Sequence, residues 1–159
     1  MSGRTDRVGL AVLSFAHTHQ HHWIRAFAAD PRVELVGFWD DNDERAAAAA
    51  AEHGIVRFEA LEELLEDDRV VAAAICSETF RHRELTEECA RRGIHVLCEK
   101  PVACTLQDAR GMKAAVEEAG IRYFQSSPQR LIPANRRIIE LVRSGEIGRV
   151  THVRKRHGH

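Results

Sequence analysis

Hydrophobic positions along the chain alternate between two kinds of segment. Short apolar or β-branched runs occupy Val8–Leu13, Val33–Trp39, Val70–Cys76, Ile94–Cys98 and Ile121–Gln125. Between them lie stretches with helical spacing at Thr18–Ala29, Asp43–His53, Leu61–Glu66, Phe80–Arg92 and Thr105–Ala119. Strands alternating with helices imply βαβ units, and runs that are apolar on both faces imply a parallel sheet covered on both sides. The pattern therefore predicts an α/β fold over residues 1–125.

Local signals set the boundaries. Asp30-Pro31 closes the first helix, and Asp43 is a candidate cap for the second. Ala46–Ala51 is a run of alanine, the best helix former, and needs no function beyond letting a helix approach a sheet. Gly93 follows Arg91-Arg92, as a helix C-terminus favours, while Thr105 and Gly120 bracket the last helix of the series. After Gln125 the rhythm changes. Ser126-Ser127-Pro128 reads as a linker, Pro133–Arg143 as a helix, Ser144–Gly148 as a turn and Arg149–Arg156 as a strand. Residues 126–159 then form the linker helix and first strand of a second α/β domain, of which only the beginning is expected. That implies a truncated form, with apolar surface around Pro133–Arg143 that promotes self-association.

Composition narrows the function. The 159 residues carry 23 Lys+Arg against 24 Asp+Glu, a formal net charge of −1. Balanced charge argues against nucleic acid or a membrane surface as partner. A hydrophobic share of 44% is enough for a core and excludes a disordered chain. Nearly all the basic residues are arginine, so a lysine with a chemical task must be Lys100, Lys113 or Lys155. Val8–Leu13 is too short for a secretory signal or a membrane span. The four cysteines, Cys76, Cys89, Cys98 and Cys104, contain no C-x-x-C pair, and three lie in or beside apolar segments. They read as buried free thiols in a reducing, cytoplasmic setting.

In an open parallel sheet, ligands bind beyond the carboxyl ends of the strands. The first strand ends in Ser14-Phe15-Ala16-His17-Thr18-His19, where a dinucleotide site would show G-x-G-x-x-G. Small residues at 14 and 16 still allow close approach, and the next helix still offers free N–H groups. An ordinary βα turn is the competing reading. The second strand ends in Asp40-Asp41-Asn42, and an acid there can accept from both ribose hydroxyls of an adenosine and repel a 2′-phosphate. This favours NAD over NADP, with Arg45 near enough to soften the preference; a solvated turn or helix cap is the alternative.

His17, His19, His21 and His22 cluster, and His17 and His21 have the i, i+4 spacing of a metal pair. No Cys, Asp or Glu among them completes a ligand set, so no metal is expected. Histidines beside a phosphate, or a polar helix face, are the preferred reading. His152, His157 and His159 alternate along a strand-like segment without a visible partner. Cys98-Glu99-Lys100-Pro101 is the strongest local constellation, because a Glu-Lys pair directly after a buried strand must face a cleft or find partners. A lysine there can orient a substrate hydroxyl and share its proton. A salt-bridged surface turn is the bland alternative.

Taken together, Gly93–Pro101 (GIHVLCEKP), Leu61–Leu65 (LEELL), Val70–Cys76 followed by His82, and Ser144–Val150 (SGEIGRV) resemble the Gfo/Idh/MocA oxidoreductases. The resemblance implies an N-terminal NAD(P)-binding Rossmann domain, a doubly wound parallel sheet, followed by a larger C-terminal α/β domain. It also implies hydride transfer between NAD(P) and a hydroxyl of a sugar, polyol or related compound, with a possible homo-oligomer in a full-length form. Ser14, Phe15, Ala16 and His17 match the pyrophosphate loop, and Asp40 the ribose acid. Cys76 and Ser77 match the strand end on the adenine side, and Glu99 and Lys100 the residues near nicotinamide and substrate. Arg130 matches the arginine after the sixth strand, and Lys100 is the candidate catalytic residue. The loop departs from the pattern in lacking its glycines. The acid/base residues of a second domain have no counterpart in the chain. A non-catalytic nucleotide-binding remnant or regulatory module is therefore the competing function, and a metal-binding domain a third.

Overall fold

The apolar runs become the strands of one parallel sheet. The computed structural model describes residues 7–156, and the chain divides after Ser126 into two compact units. His157 and His159 lie outside the described residues. In the first unit the order is β1 (Val8–Leu13), α1 (His19–Ala29), β2 (Val33–Trp39), α2 (Asp43–His53) and α3 (Leu61–Leu65). It continues with β3 (Ala72–Ile75), a 3₁₀ turn (Thr79–Arg81), α4 (His82–Arg91), β4 (His95–Cys98), α5 (Leu106–Ala119) and β5 (Tyr123–Gln125). All neighbouring strands are parallel, in the spatial order β2-β1-β3-β4-β5. The order reverses between β1 and β3, which opens a crevice at their carboxyl ends.

Alternation along β1 divides the core. Ala11 and Leu13 join a cluster with Leu64 of α3, Leu85 and Cys89 of α4, and Met112 of α5. Val12 points the other way, toward Ile24 of α1, Phe38, and Ala46 and Ala49 of α2. The alanine run thus buries only the residues on one stripe, and the small side chains let α2 lie close to the sheet. The sheet is wound on both faces, as the continuously apolar strands require.

Two details differ from the sequence reading. Asn42, not Asp43, caps α2, because its extended backbone lets its side chain accept from the Arg45 N–H at 2.8 Å. The segment Arg149–Arg156 forms no strand among the described residues. A single strand without a pairing neighbour leaves its backbone groups unbonded, so its apolar pattern alone does not make it one. Thr105 does cap α5, accepting from the Asp108 N–H at 3.0 Å. The second unit contains a 3₁₀ turn (Pro128–Arg130) and α6 (Pro133–Ser144), which begins on Pro133 and ends at Gly145 in the left-handed region. All four cysteines are free, and only Cys104 is exposed. No helix among the described residues is long and apolar enough to cross a membrane.

Gly9 is required by close packing. A Cβ built there would lie 1.8 Å from the Arg69 carbonyl oxygen, a backbone atom that cannot turn aside. Gly9→Ala is expected to cost about 1–3 kcal/mol or more of stability through forced strand displacement. A lowered urea midpoint at unchanged slope checks this.

Candidate functional site at the strand ends

The chain turns sharply after β1. Ser14 is fully buried with φ at +69°, the one non-glycine described residue in the left-handed region. That conformation costs a non-glycine residue about 1–3 kcal/mol, and local bonds hold it. The Ser14 Oγ accepts from the Ala16 N–H at 3.1 Å and donates to Asp40 Oδ2 at 3.3 Å. The turn normally made by glycine is therefore made by a serine that bonds back onto its own loop. The Phe15 ring contributes nothing to the crevice. It is buried on Phe38, with ring centroids 5.1 Å apart, while its N–H donates to Asp40 at 2.7 Å.

Asp40, at the carboxyl end of β2, is saturated. Its two oxygens accept from the Phe15 and Asn42 N–H groups, the Ser14 hydroxyl and the Arg45 Nε, the last at 2.8 and 2.9 Å. A carboxylate has about four acceptor sites, so little capacity remains while Arg45 stays in place. Burial pushes the Asp40 carboxyl up. The Arg45 guanidinium and the two N–H groups outweigh that and hold it below the usual carboxylate range. Arg45 also reaches Asp41 at 2.8 Å and Glu78 at 3.4 Å, and Arg81 pairs with Asp41. Three carboxylates thus surround two guanidinium groups, and the corner keeps a surplus negative charge.

The loop is stitched across the β1/β3 crevice. The His17 N–H donates to the Cys76 carbonyl at 3.0 Å. Cys76 takes part only through its backbone, since its thiol is fully buried and burial raises its pKa far above the ordinary value. Ser77 is buried as well, donating to the Glu78 carbonyl at 3.2 Å.

Glu99 and Lys100 follow β4 and meet the loop from the other side. Glu99 is fully buried, with Oε1 facing His19 Nδ1 at 3.3 Å and accepting from the Lys100 N–H at 3.0 Å. Its Oε2 is buried without a partner among the described residues. The Lys100 side chain is half exposed, and its Nζ lies 3.4 Å from His17 Nε2 and 4.0 Å from Glu99 Oε1. His17 Nδ1 accepts from the His19 N–H at 3.1 Å, so a neutral ring carries its proton on Nε2, facing Lys100. Partial burial, then the nearby His19 and Lys100, lower the His17 pKa and favour that neutral ring at pH 7.

The structure brings together Ser14, Ala16, His17, Asp40, Cys76, Ser77, Glu99 and Lys100 at one edge of the sheet, with Phe15 serving by its backbone. Arg130 ends the 3₁₀ turn of the second unit, where its N–H donates to the Ser127 carbonyl at 2.9 Å. His82 is a structural organiser here. Its Nδ1 faces the Pro101 carbonyl at 2.9 Å and its Nε2 the Ser77 carbonyl at 3.3 Å, tying the ends of β3 and β4 together. Glu78 and the charge network on Arg45 were not singled out by sequence reasoning. Their only signal is position, Glu78 lying just past the Cys76-Ser77 end of the third strand. The histidine cluster also divides differently from its i, i+4 spacing. His17 precedes the helix and meets His19, whereas His21 meets His53.

A dinucleotide fits these residues. Glu99 Oε2 is a buried acceptor awaiting a donor, such as the amide or ribose hydroxyl of a nicotinamide nucleoside supplies. Ser14 and Ala16 keep the loop narrow, and the N-terminus of α1 follows it.

Comparison with known proteins identifies the family and the fold. The sequence model of an oxidoreductase family with an NAD-binding Rossmann fold, Gfo/Idh/MocA, matches residues 8–126. The chain is 37% identical over 135 residues to 1,5-anhydro-D-fructose reductase of Ensifer adhaerens, covering 84% of this chain and 40% of that protein. It is 31% identical over 149 residues to inositol 2-dehydrogenase of Rubrobacter xylanophilus, covering 93% and 43%. Among solved structures, the WlbA dehydrogenase of Bordetella pertussis, in complex with NADH and UDP-GlcNAcA, superposes with a TM-score of 0.84 at 27% identity. That alignment covers 91% of this chain and 42% of the other. The chain thus spans about two fifths of the length of the relatives it matches.

Proposed function

The chain belongs to the Gfo/Idh/MocA oxidoreductase family with its NAD-binding Rossmann fold, and from that premise we propose that it binds NAD in the β1/β3 crevice for hydride transfer to or from a sugar or polyol hydroxyl. The observation that carries this reading is the convergence of Asp40, the Ser14–His17 loop and the Glu99-Lys100 turn at three strand ends of one sheet. The names of the relatives, a sugar reductase and a polyol dehydrogenase among them, support the substrate class. The three buried free thiols fit a reducing cytoplasm.

Ser14, Ala16 and His17 would border the pyrophosphate, Asp40 the adenosine ribose, and Glu99 and Lys100 the nicotinamide end. A bound nicotinamide supplies the hydride acceptor or donor. Lys100 Nζ hydrogen-bonds the substrate hydroxyl and takes its proton as the hydride leaves the carbinol carbon. In the other direction the same group returns the proton. His17 Nε2, 3.4 Å from Nζ, borders the lysine on the side of the loop.

Cofactor choice follows from the charge at β2. A 2′-phosphate would meet Asp40, Asp41 and Glu78 with Arg45 already engaged by all three. NAD is therefore the expected cofactor, and ribose hydroxyls gain access to Asp40 when Arg45 shifts toward Asp41 and Glu78. Calorimetric titration is expected to show NAD binding at least tenfold tighter than NADP, a difference of about 1.4 kcal/mol. Arg45→Ala should widen the ratio by about a further tenfold, because it takes the guanidinium from Asp40 and Glu78 and leaves Asp41 with Arg81 alone. Failure of both cofactors to bind at millimolar concentration overturns the reading.

A second reading has one observation in its favour. The N–H groups of Phe15, Ala16 and His17 are already engaged by Asp40, Ser14 and Cys76, which leaves the loop fewer donors for a pyrophosphate. A nucleotide-binding module without turnover would follow, and it predicts cofactor binding with no oxidation of any polyol.

A further inference from the structure

A second cluster lies apart from the strand-end site. His21 stands in the first turn of α1, while Glu52 and His53 end α2, and both helices cover the same face of the sheet. Their ligand atoms converge on one point. His21 Nδ1 is 2.8 Å from His53 Nε2 and 3.2 Å from Glu52 Oε2, and His53 Nε2 is 3.6 Å from Glu52 Oε1. A tetrahedral zinc centre with bonds of about 2.0–2.1 Å has edges of about 3.3 Å between its ligand atoms. The distances from His21 Nδ1 lie just below that edge. The distance from His53 is to the other oxygen of the same carboxylate, and one ligand atom from each residue lies within 4.8 Å of the others.

We propose that His21, Glu52 and His53 form a binding site for a zinc-type divalent ion, joining the first turn of α1 to the end of α2. Two imidazoles and one carboxylate are a ligand set that zinc accepts, and they leave a fourth position open to water. The rings are held in advance. The His53 side chain is 5% exposed and stacks on Phe15 with centroids 5.8 Å apart, while His21 meets the edge of the same ring at 5.6 Å. Arg25 is the cation facing the cluster. It donates to Glu52 Oε1 at 3.2 Å from a largely exposed position, so its hydrogen bond goes to the carboxylate and not to a ring nitrogen, while its charge also acts on His53. The other triad, His17, His19 and Glu99, differs in that respect. Lys100 Nζ faces the His17 Nε2 nitrogen itself, and the group belongs to the site already described.

A direct N–H···N bond between His21 and His53 is the arrangement that needs no ion, and titration separates the two. In buffer free of chelators, ZnCl2 is expected to bind the wild-type chain saturably at micromolar concentration. His21→Ala and Glu52→Gln should each weaken that binding at least tenfold, whereas the double variant His17→Ala/His19→Ala should leave it within about twofold. Both test positions are partly exposed, so the variants are expected to fold, which far-ultraviolet circular dichroism checks. Cobalt(II) in place of zinc should give the intense visible bands of a tetrahedral centre, absent in His21→Ala. Absence of saturable zinc binding to the wild type below millimolar concentration overturns the proposal. So does binding that survives His21→Ala and Glu52→Gln but is lost in the double variant.

Discussion

Replacing Asp40 by Ala is expected to destabilise the first unit by about 3 kcal/mol and to abolish measurable NAD binding. The carboxylate is buried and paired with Arg45 at 2.8 Å, and removal of one partner from such a pair costs about 3–5 kcal/mol. The lower end applies because Arg45 keeps Asp41 and Glu78 as partners. Part of that cost falls on the loop. The Phe15 N–H loses the acceptor it reaches at 2.7 Å, and an unpaired buried donor costs about 1–3 kcal/mol. The Ser14 hydroxyl also loses one of the bonds that hold its left-handed backbone. Urea denaturation reads the stability change, and calorimetry reads the cofactor. A loss below about 1 kcal/mol would mean that water replaces the carboxylate and that the corner is less dry than its burial indicates.

The same residue sets an acid limb. Arg45 and the two N–H groups depress the folded-state pKa of Asp40 despite its burial. In the unfolded chain an aspartate titrates near about 3.9. The stabilisation is therefore fully present above that value and is lost as pH falls below it through the depressed folded-state value. In Asp40→Ala the stability curve should be flatter over that acidic range than in the wild type.

Much of this corner was legible in the residues, for a physical reason. Period and punctuation depend on a few neighbours in sequence, so the five strands and the helices between them could be read directly. The strand ends could be read too, because the topology of a parallel sheet places them together whatever their sequence separation. What could not be read depends on side chains meeting across the fold. Arg45 lies near Asp40 in sequence, yet its engagement of Glu78 needs the ends of β2 and β3 to be side by side. His17 and His21 share a helical spacing, but the helix begins at His19, so the two rings diverge. Each then finds an acidic neighbour, Glu99 or Glu52, that no local pattern pairs with it. The strand expected at Arg149–Arg156 fails for the converse reason, since alternation is a property of the segment and pairing is not.

Lys100→Ala is expected to lower turnover with a responsive polyol by about 10²–10⁴-fold, the usual contribution of a positioned acid–base group. Stability should stay within about 0.5 kcal/mol of wild type. The split follows from geometry. The Lys100 side chain is half exposed and 4.0 Å from Glu99 Oε1, so its loss strands no buried charge. Glu99 retains the Lys100 backbone N–H at 3.0 Å and His19 at 3.3 Å. A purely structural lysine would show the reverse, with lost stability and unchanged chemistry. Lys100→Arg separates orientation from proton transfer. A guanidinium keeps the positive charge and can hold a hydroxyl, but it does not give up its proton in proteins, so it should preserve KM while leaving kcat near that of the alanine variant. Recovery of kcat in Lys100→Arg would assign the proton to another group. Absence of turnover in the wild type across a polyol panel, with NAD binding intact, would instead favour the non-catalytic module, because the loop and Asp40 would then hold a nucleotide with no acid–base task for Lys100.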